Sequence, residues 1–322
     1  MISEQQKPVN SGFGAKSEPA EVLAGIDLSG KTALVTGGYS GIGTETSRAL
    51  VEAGCEVYAP ARRTEVALNE LEGIVPAENI VEMDLASPNS VQNFVDDFSS
   101  HVNKLDILIN NAGVMACPEM RTPEGWELQF AVNQIGHFVL TKGLLPLMQA
   151  AEGSRLVTLS STGHKISGIR WDDIHFKDSE YEKWTAYGQS KTAASLLAIE
   201  VDKRMKDSGV RAFGVHPGGI MTPLQRHLEQ EEMVALGWMD KDGQPTERVA
   251  KMFKTPAQGA STSLWAATNP QLNDIGGVYC ENCEVAAPTD DGENSRFIGV
   301  NDWAVDSEEA NRLWDETERM LN

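Results

Sequence analysis

The sequence predicts an α/β protein, one three-layer α/β/α domain built on a mainly parallel sheet of seven strands. Three observations predict it. Short β-branched or apolar runs alternate with amphipathic stretches from about Lys31 to Tyr279. Those stretches are long enough to serve as crossover helices, which parallel strands require and which cover both faces of the sheet. A glycine-rich turn, Thr36-Gly-Gly-Tyr-Ser-Gly-Ile-Gly43, follows directly on the first apolar run.

The candidate strands are Thr32–Thr36, Glu56–Ala59, Ile80–Met83, Leu105–Ile109, Leu156–Ser160, Arg211–Val215 and Val278–Cys280. Ile42, Thr46, Ala49, Leu50 and Ala53 mark one helical face, which Gly54 ends as a C-cap. Ala194, Leu197, Ala198, Val201 and Met205 mark another. Ser307–Leu321 reads as a last helix, with acids in its first turn and an apolar stripe of Ala310, Leu313 and Trp314. Two segments break the rhythm: Pro223–Thr255, rich in Met and Glu, and the acidic Ala286–Val305. Neither is large enough for a second domain. The expected organisation is a flexible tail (1–26), a catalytic domain (27–285) and a C-terminal extension (286–322) whose final helix packs on the domain.

A formal charge of −20 argues against nucleic acid and anionic membrane surfaces as partners. The polar N-terminus lacks the order of a signal peptide, and no apolar run is long enough to cross a bilayer. Four cysteines in 322 residues make no disulfide framework, which points to a reducing, cytoplasmic setting. Cys280-Glu-Asn-Cys283 has zinc-ligand spacing but no second pair, so two buried thiols are expected and no metal.

Phosphates approach a backbone only where side chains are absent. Gly37, Gly41 and Gly43 clear that space, and the following helix N-terminus turns its N–H groups and positive dipole end toward the anion. At the end of the second strand a dinucleotide site selects its cofactor: an acid takes the ribose hydroxyl, an arginine the 2′-phosphate. Here Ala61-Arg62-Arg63 carries two cations and no acid, so NADP(H) is preferred, with NAD(H) as the weaker option. Arg63 also reads as a solvated surface charge.

Tyr187-Gly-Gln-Ser-Lys191 opens the helix that continues through Met205, where residues four apart share a face. A phenol near pKa 10 is a poor base at neutral pH, and a neighbouring ammonium lowers that value toward the working range. Ser160 and Ser161 end the fifth strand at the carboxyl edge, and Asn110-Asn111-Ala112-Gly113 ends the fourth at the same edge. Asn133, inside an apolar helix, needs partners, and a helix distorted around an active-site water would supply one.

This set, with His216-Pro-Gly-Gly-Ile-Met-Thr222, resembles the short-chain dehydrogenase/reductase family over about Asp27 to Cys283. Gly113-Val-Met115, Gln129-Phe-Ala-Val-Asn133, Gly136-His-Phe138, Ala186-Tyr-Gly-Gln-Ser-Lys191, Lys254-Thr-Pro-Ala-Gln-Gly259 and Asn311-Arg-Leu-Trp314 are similar to its branch of retinol-dehydrogenase-like and WW-domain-oxidoreductase-like proteins. Gln134 stands where that branch has His. The resemblance implies a Rossmann fold and an alcohol/carbonyl oxidoreductase with Tyr187 as general acid/base. Lys191 then binds the nicotinamide ribose, Ser161 (with Ser160 as rival) holds the substrate oxygen, and Asn133 holds a relay water. Asp84 should meet the adenine, Asn111 the adenosine ribose, and Ile220 and Thr222 the carboxamide. Tyr39, Ser40, Ile42, Leu85, Ala112, Gly113, Pro217 and Gly218 complete the implied cofactor contacts. The family also implies homodimer contact through two exposed helices, unless the C-terminal extension blocks or replaces it.

Met115, Trp171, Trp184, Leu224 and the 223–255 segment would enclose an apolar pocket for a hydrophobic or aromatic ketone, aldehyde or alcohol. Trp171 and Trp184 serve either that pocket or the core. His137 reads as a satisfied core residue, and His164, near Ser161, belongs to no hydrolase triad because no nucleophile elbow is present. Two other readings keep the cradle: a non-catalytic NADP(H)-binding regulator, and a lyase or epimerase that uses the same tyrosine.

Overall fold

A computed structural model describes residues 2–290, 292 and 296–322. Met1 of the expected tail and positions 291 and 293–295 of the acidic segment lie outside the described residues.

Seven strands form one sheet: β1 (Thr32–Val35), β2 (Glu56–Tyr58), β3 (Ile107–Asn110), β4 (Arg155–Leu159), β5 (Arg211–His216), β6 (Val278–Glu281) and β7 (Glu284–Val285). Their order is β2-β1-β3-β4-β5-β6-β7, parallel throughout except for β6 against β7. Successive side chains of a strand face opposite layers. Ala33 and Val35 therefore pack with Ala49, Leu50 and Leu264, from the helices Ile42–Glu52 and Pro256–Thr268. Leu34 packs the other way, with Val91, Leu144 and Leu197 from Pro88–His101, His137–Gln149 and Lys183–Met205. Helices on both faces make the three expected layers.

The seven strands are not the seven that the sequence suggested. Ile80–Met83 is no strand. It follows the edge beyond β2 through one bridge, Ala61 to Glu82, with Ala59 and Ala61 donating to Asn79 and Val81 at 3.0 and 2.9 Å. Pro60 offers no N–H to continue the β2 ladder onto β1, so β2 stops at Tyr58. The seventh strand is β7 instead. It returns from β6 through Asn282 and Cys283, both left-handed (φ 53° and 57°), the geometry of a two-residue hairpin without the usual glycine.

The N-terminal residues are not a free tail. The Gln6 carboxamide acts as a peptide group for the start of β6: it accepts from Tyr279 N–H at 2.8 Å and donates to Tyr279 and Ala286 carbonyls at 2.9 and 2.6 Å. Glu284 accepts from the Val9 and Ser11 N–H groups at 2.6 and 2.8 Å. A tail judged by its polarity looks soluble, but here the polar groups satisfy a sheet edge.

The helix Ser307–Leu321 is capped by Asp306 and lies along Lys183–Met205. Trp314 meets Phe138 edge-on at 4.7 Å, and Arg204 stacks over Trp314 at 4.5 Å. Residues 186 to 202 of the longer helix are buried without interruption.

Candidate active site

The chain leaves β1 toward β2 and returns through β3 on the other side of β1. At that reversal the carboxyl ends of an open sheet leave a crevice. A cleft of about 390 Å³ opens there.

One half is the glycine turn. Gly37 (φ 62°) and Gly41 (φ 55°) hold a backbone that other residues resist. A Cβ on Gly43 would stand 2.1 Å from the Gly37 carbonyl oxygen. The helix Ile42–Glu52 begins there with no side-chain cap, so its first N–H groups and dipole face the cleft, as an anion requires. Tyr39, Ser40, Ile42, Arg62 and Arg63 line the same half, as do Asn111, Ala112 and Gly113 from the end of β3. A dinucleotide fits this donor set. Gly43 supports the turn rather than lining it.

Asn111 lines the cleft, and its carboxamide nitrogen donates to the Thr36 and Gly37 carbonyls at 2.8 and 3.3 Å. Asp84 and Leu85 do not line the cleft. The Asp84 carboxylate accepts from Ala86 N–H at 2.9 Å, and the Leu85 carbonyl lies against Gly136.

The other half holds Ser161, Tyr187 and Lys191. Glu182 caps the helix Lys183–Met205 through the Trp184 and Thr185 N–H groups, so Tyr187 lies one turn inside the helix rather than opening it. Tyr187 and Lys191 share its cleft face, with the Lys191 Nζ 5.7 Å from the Tyr187 ring centre. Nζ donates to the Leu159 carbonyl at 2.9 Å. Burial pushes the Tyr187 phenol up to about 12, against a smaller lowering by the Ser161 hydroxyl, and pushes the Lys191 ammonium down to about 8. The expectation that the ammonium brings the phenol toward neutrality is therefore reversed: desolvation dominates and Tyr187 keeps its proton. Of the two serines, Ser161 has its hydroxyl beside the Tyr187 phenol, whereas the Ser160 hydroxyl donates to the Lys191 carbonyl at 2.7 Å.

Asn133 lies in a π-helical turn, Ala131–Gly136, within an otherwise α-helical run, as the expected distortion required. Its side chain clasps Val114, accepting from N–H and donating to the carbonyl at 2.9 Å each, and also donates to Ser190 Oγ at 2.9 Å. His137 lies beneath it. Thr36 Oγ accepts from the Asn111 and Ala112 N–H groups at 2.9 and 3.0 Å, so its own proton goes to His137 Nε2, 2.9 Å away. His137 therefore carries its hydrogen on Nδ1 and donates to the Asn133 carbonyl at 3.1 Å. The core histidine joins the glycine turn to Asn133. Its role was missed because the contacts join β1, β3 and a helix far apart in sequence.

Pro217, Gly218, Ile220 and Thr222 line the cleft beyond β5, and Thr222 Oγ caps the turn Pro223–His227. Met115 and Leu224 line the cleft, joined by Trp238 and Phe253. These two were missed because the 223–255 segment carries no periodicity to place them. Trp184 does not line the cleft but backs it, meeting Tyr187 edge-on at 6.2 Å and Trp238 at 6.4 Å. Glu232 ties this segment down by accepting from Lys183 Nζ at 2.6 Å and Trp184 Nε1 at 3.2 Å. Trp171 is not a pocket residue. Its indole donates to Glu309 at 2.8 Å and stacks under Arg312 at 4.0 Å, which anchors the final helix. Cys280 and Cys283 are buried free thiols.

The family model described as short chain dehydrogenase matches residues 31–233. The short-chain dehydrogenase/reductase prx1 of Penicillium roqueforti is 37% identical over 302 residues, covering 92% of this chain and 86% of its own. Retinol dehydrogenase 11 of Mus musculus is 34% identical over 295 residues, covering 90% and 86%. A crystal structure of a Mycobacterium paratuberculosis protein superposes with a TM-score of 0.70 at 27% identity, covering 95% of this chain and 97% of that one.

Proposed function

This chain belongs to the short chain dehydrogenase family, near its retinol-dehydrogenase-like branch, and on that premise we propose that it is an NADP(H)-dependent oxidoreductase that interconverts a carbonyl compound and its alcohol. One observation carries the reading: Tyr187, Ser161 and Lys191 converge on the cleft whose other half is the glycine turn with Arg62 and Arg63. The bound nicotinamide supplies or accepts the hydride. The chain's own residues bind, orient and move the proton.

In reduction, the Ser161 hydroxyl holds the substrate oxygen beside Tyr187. Tyr187 then gives its proton to that oxygen as negative charge develops there. Burial keeps this phenol protonated across neutral pH, the form that reduction consumes. Lys191, charged below about pH 8, stabilises the phenolate left behind. The Asn133 carbonyl has a second lone pair beyond the one facing His137, which suits a water that returns a proton toward Lys191. Met115, Leu224, Trp238 and Phe253 favour an apolar or aromatic substrate and keep bulk water from the phenol. Arg62 and Arg63 favour a 2′-phosphate, and NAD(H) is the weaker cofactor. Four free buried thiols suit a reducing cytoplasm.

The test is a panel of apolar and aromatic ketones and aldehydes, following NADPH absorbance, with Tyr187→Phe beside the wild type. Turnover should fall by about 10²–10⁴-fold in the variant with cofactor binding intact, the scale of lost general acid catalysis. Reduction of none of the panel, or equal rates in both proteins, would sink the proposal.

A further inference from the structure

We propose that His164 is a positioning residue through which the C-terminal segment sets the catalytic Ser161. This inference rests on the oxidoreductase reading above.

His164 is fully buried in the turn Thr162–Lys165, directly after Ser161. Its Nε2 lies 3.1 Å from the backbone nitrogen of Asn301. A backbone N–H can only donate, so Nε2 must be the bare, accepting nitrogen. Burial holds the ring neutral, pushing its pKa down to about 4, so the single ring hydrogen sits on Nδ1. That hydrogen points at the Ser161 carbonyl, 2.6 Å away, with the Tyr279 hydroxyl 3.3 Å from the same nitrogen. The His164 N–H donates to the same Ser161 carbonyl at 3.0 Å. Trp303 Nε1 donates to the His164 carbonyl at 2.9 Å, so the extension grips both the ring and the backbone of this residue.

Ser161 is thus clamped at its carbonyl, while its Oγ accepts from Gly163 N–H at 3.0 Å. The Ser161 carbonyl and the Asn301 N–H select the same tautomer from opposite sides of the ring. If the Asn301 N–H were lost, Nε2 would be a buried acceptor without its donor, and one contact fewer would hold the ring that clamps Ser161. The hydroxyl that must stand between Tyr187 and the substrate oxygen would then lose its fixed place.

Three full-length variants test this. Asn301 has φ −78°, which proline adopts, so Asn301→Pro keeps the backbone angle while its Cδ takes the place of the N–H that faces Nε2. His164→Asn keeps a donor at the Nδ1 position toward Ser161. His164→Gln reaches toward Asn301 but lacks that donor. Each is assayed for kcat and KM in NADPH-dependent carbonyl reduction, for NADPH dissociation constant and for thermal midpoint. Asn301→Pro and His164→Gln should lower kcat by about fivefold to tenfold, the scale of one hydrogen bond, with NADPH binding unchanged. His164→Asn should keep most of the wild-type kcat. The proposal is overturned if Asn301→Pro stays within about twofold of wild-type kcat, if His164→Gln matches His164→Asn, or if kcat falls only in step with the thermal midpoint. A wild type that reduces no carbonyl overturns the oxidoreductase reading and this inference together. An active wild type with insensitive variants overturns the inference alone.

Discussion

Thr36 and His137, 101 positions apart in the sequence, meet at 2.9 Å, the threonine hydroxyl donating to the imidazole Nε2. Through Nδ1 the same ring holds the Asn133 carbonyl, so one neutral side chain fastens the glycine turn to the π-helical turn Ala131–Gly136. Replacing it by leucine leaves the Thr36 hydroxyl only the Ile109 carbonyl, at 3.5 Å, and leaves the Asn133 carbonyl without its donor. His137→Leu should destabilise the fold by about 1–3 kcal/mol, measured by urea unfolding. The wild type should also weaken in acid. His137 and His164 sit near 4 in the folded state, below the value of about 6.5 for a free imidazole. The unfolded chain binds more protons between those values, so stability present above pH 6.5 is lost as pH falls through 4. A flat unfolding midpoint between pH 7 and 5 would contradict this.

The rate should have an alkaline limb set by Lys191. Burial lowers its ammonium to about 8, so the charge that supports the Tyr187 phenolate is present below that pH and lost above it. Carbonyl reduction at saturating cofactor should hold level near neutrality and decline as pH rises through about 8. Tyr187, near 12, adds no limb in that window. Lys191→Arg keeps its charge at all these pH values and should lose the limb while reacting more slowly. An unchanged limb in that variant would assign the titration to another group.

Cofactor choice should depend on Arg62. Both Arg62 and Arg63 are exposed at the cleft, and no acid is among the described residues that line it. Arg62→Asp should weaken NADPH binding by about tenfold to a hundredfold, the scale of a charge-assisted hydrogen bond, while improving NADH binding. Titration calorimetry with both cofactors reads this directly. Equal loss for both would show that Arg62 supports the turn rather than the 2′-phosphate.

Gly43 should be intolerant of alanine. The added Cβ would stand 2.1 Å from the Gly37 carbonyl and 2.8 Å from Asn111 Nδ2, so the turn must open. Overpacking of this kind costs about 1–3 kcal/mol. Gly43→Ala should lose cofactor affinity as well as stability, whereas Gly73→Ala, with open space around its Cβ, should leave cofactor affinity intact. Wild-type cofactor affinity in Gly43→Ala would show that the turn does not form the phosphate cradle.

The parts readable in advance were those that the local backbone imposes. Gly37, Gly41 and Gly43 are required where a turn takes positive φ or meets another carbonyl, and that need shows in residue type alone. Tyr187 and Lys191 share a face because helical geometry puts residues four apart together. Alternating apolar runs likewise gave the layers and most of the strands. Where the local rule ran out, so did the reading. Ile80–Met83 has strand composition but a neighbour that Pro60 limits, and β7 has two residues and no glycine at its turn.

The sequence by itself determined the architecture, the glycine turn and the helical face that Tyr187 and Lys191 share. Tertiary structure alone decided that Gln6 pairs with the start of β6, that Trp171 anchors the last helix, and that Trp238 and Phe253 wall the cleft. It also decided that Tyr187 keeps its proton and that His137 and His164 carry theirs on Nδ1. The division has one cause. Backbone turns and helical spacing are fixed by neighbours in the chain, whereas desolvation and long-range hydrogen bonds depend on which distant segments exclude water from the same atom.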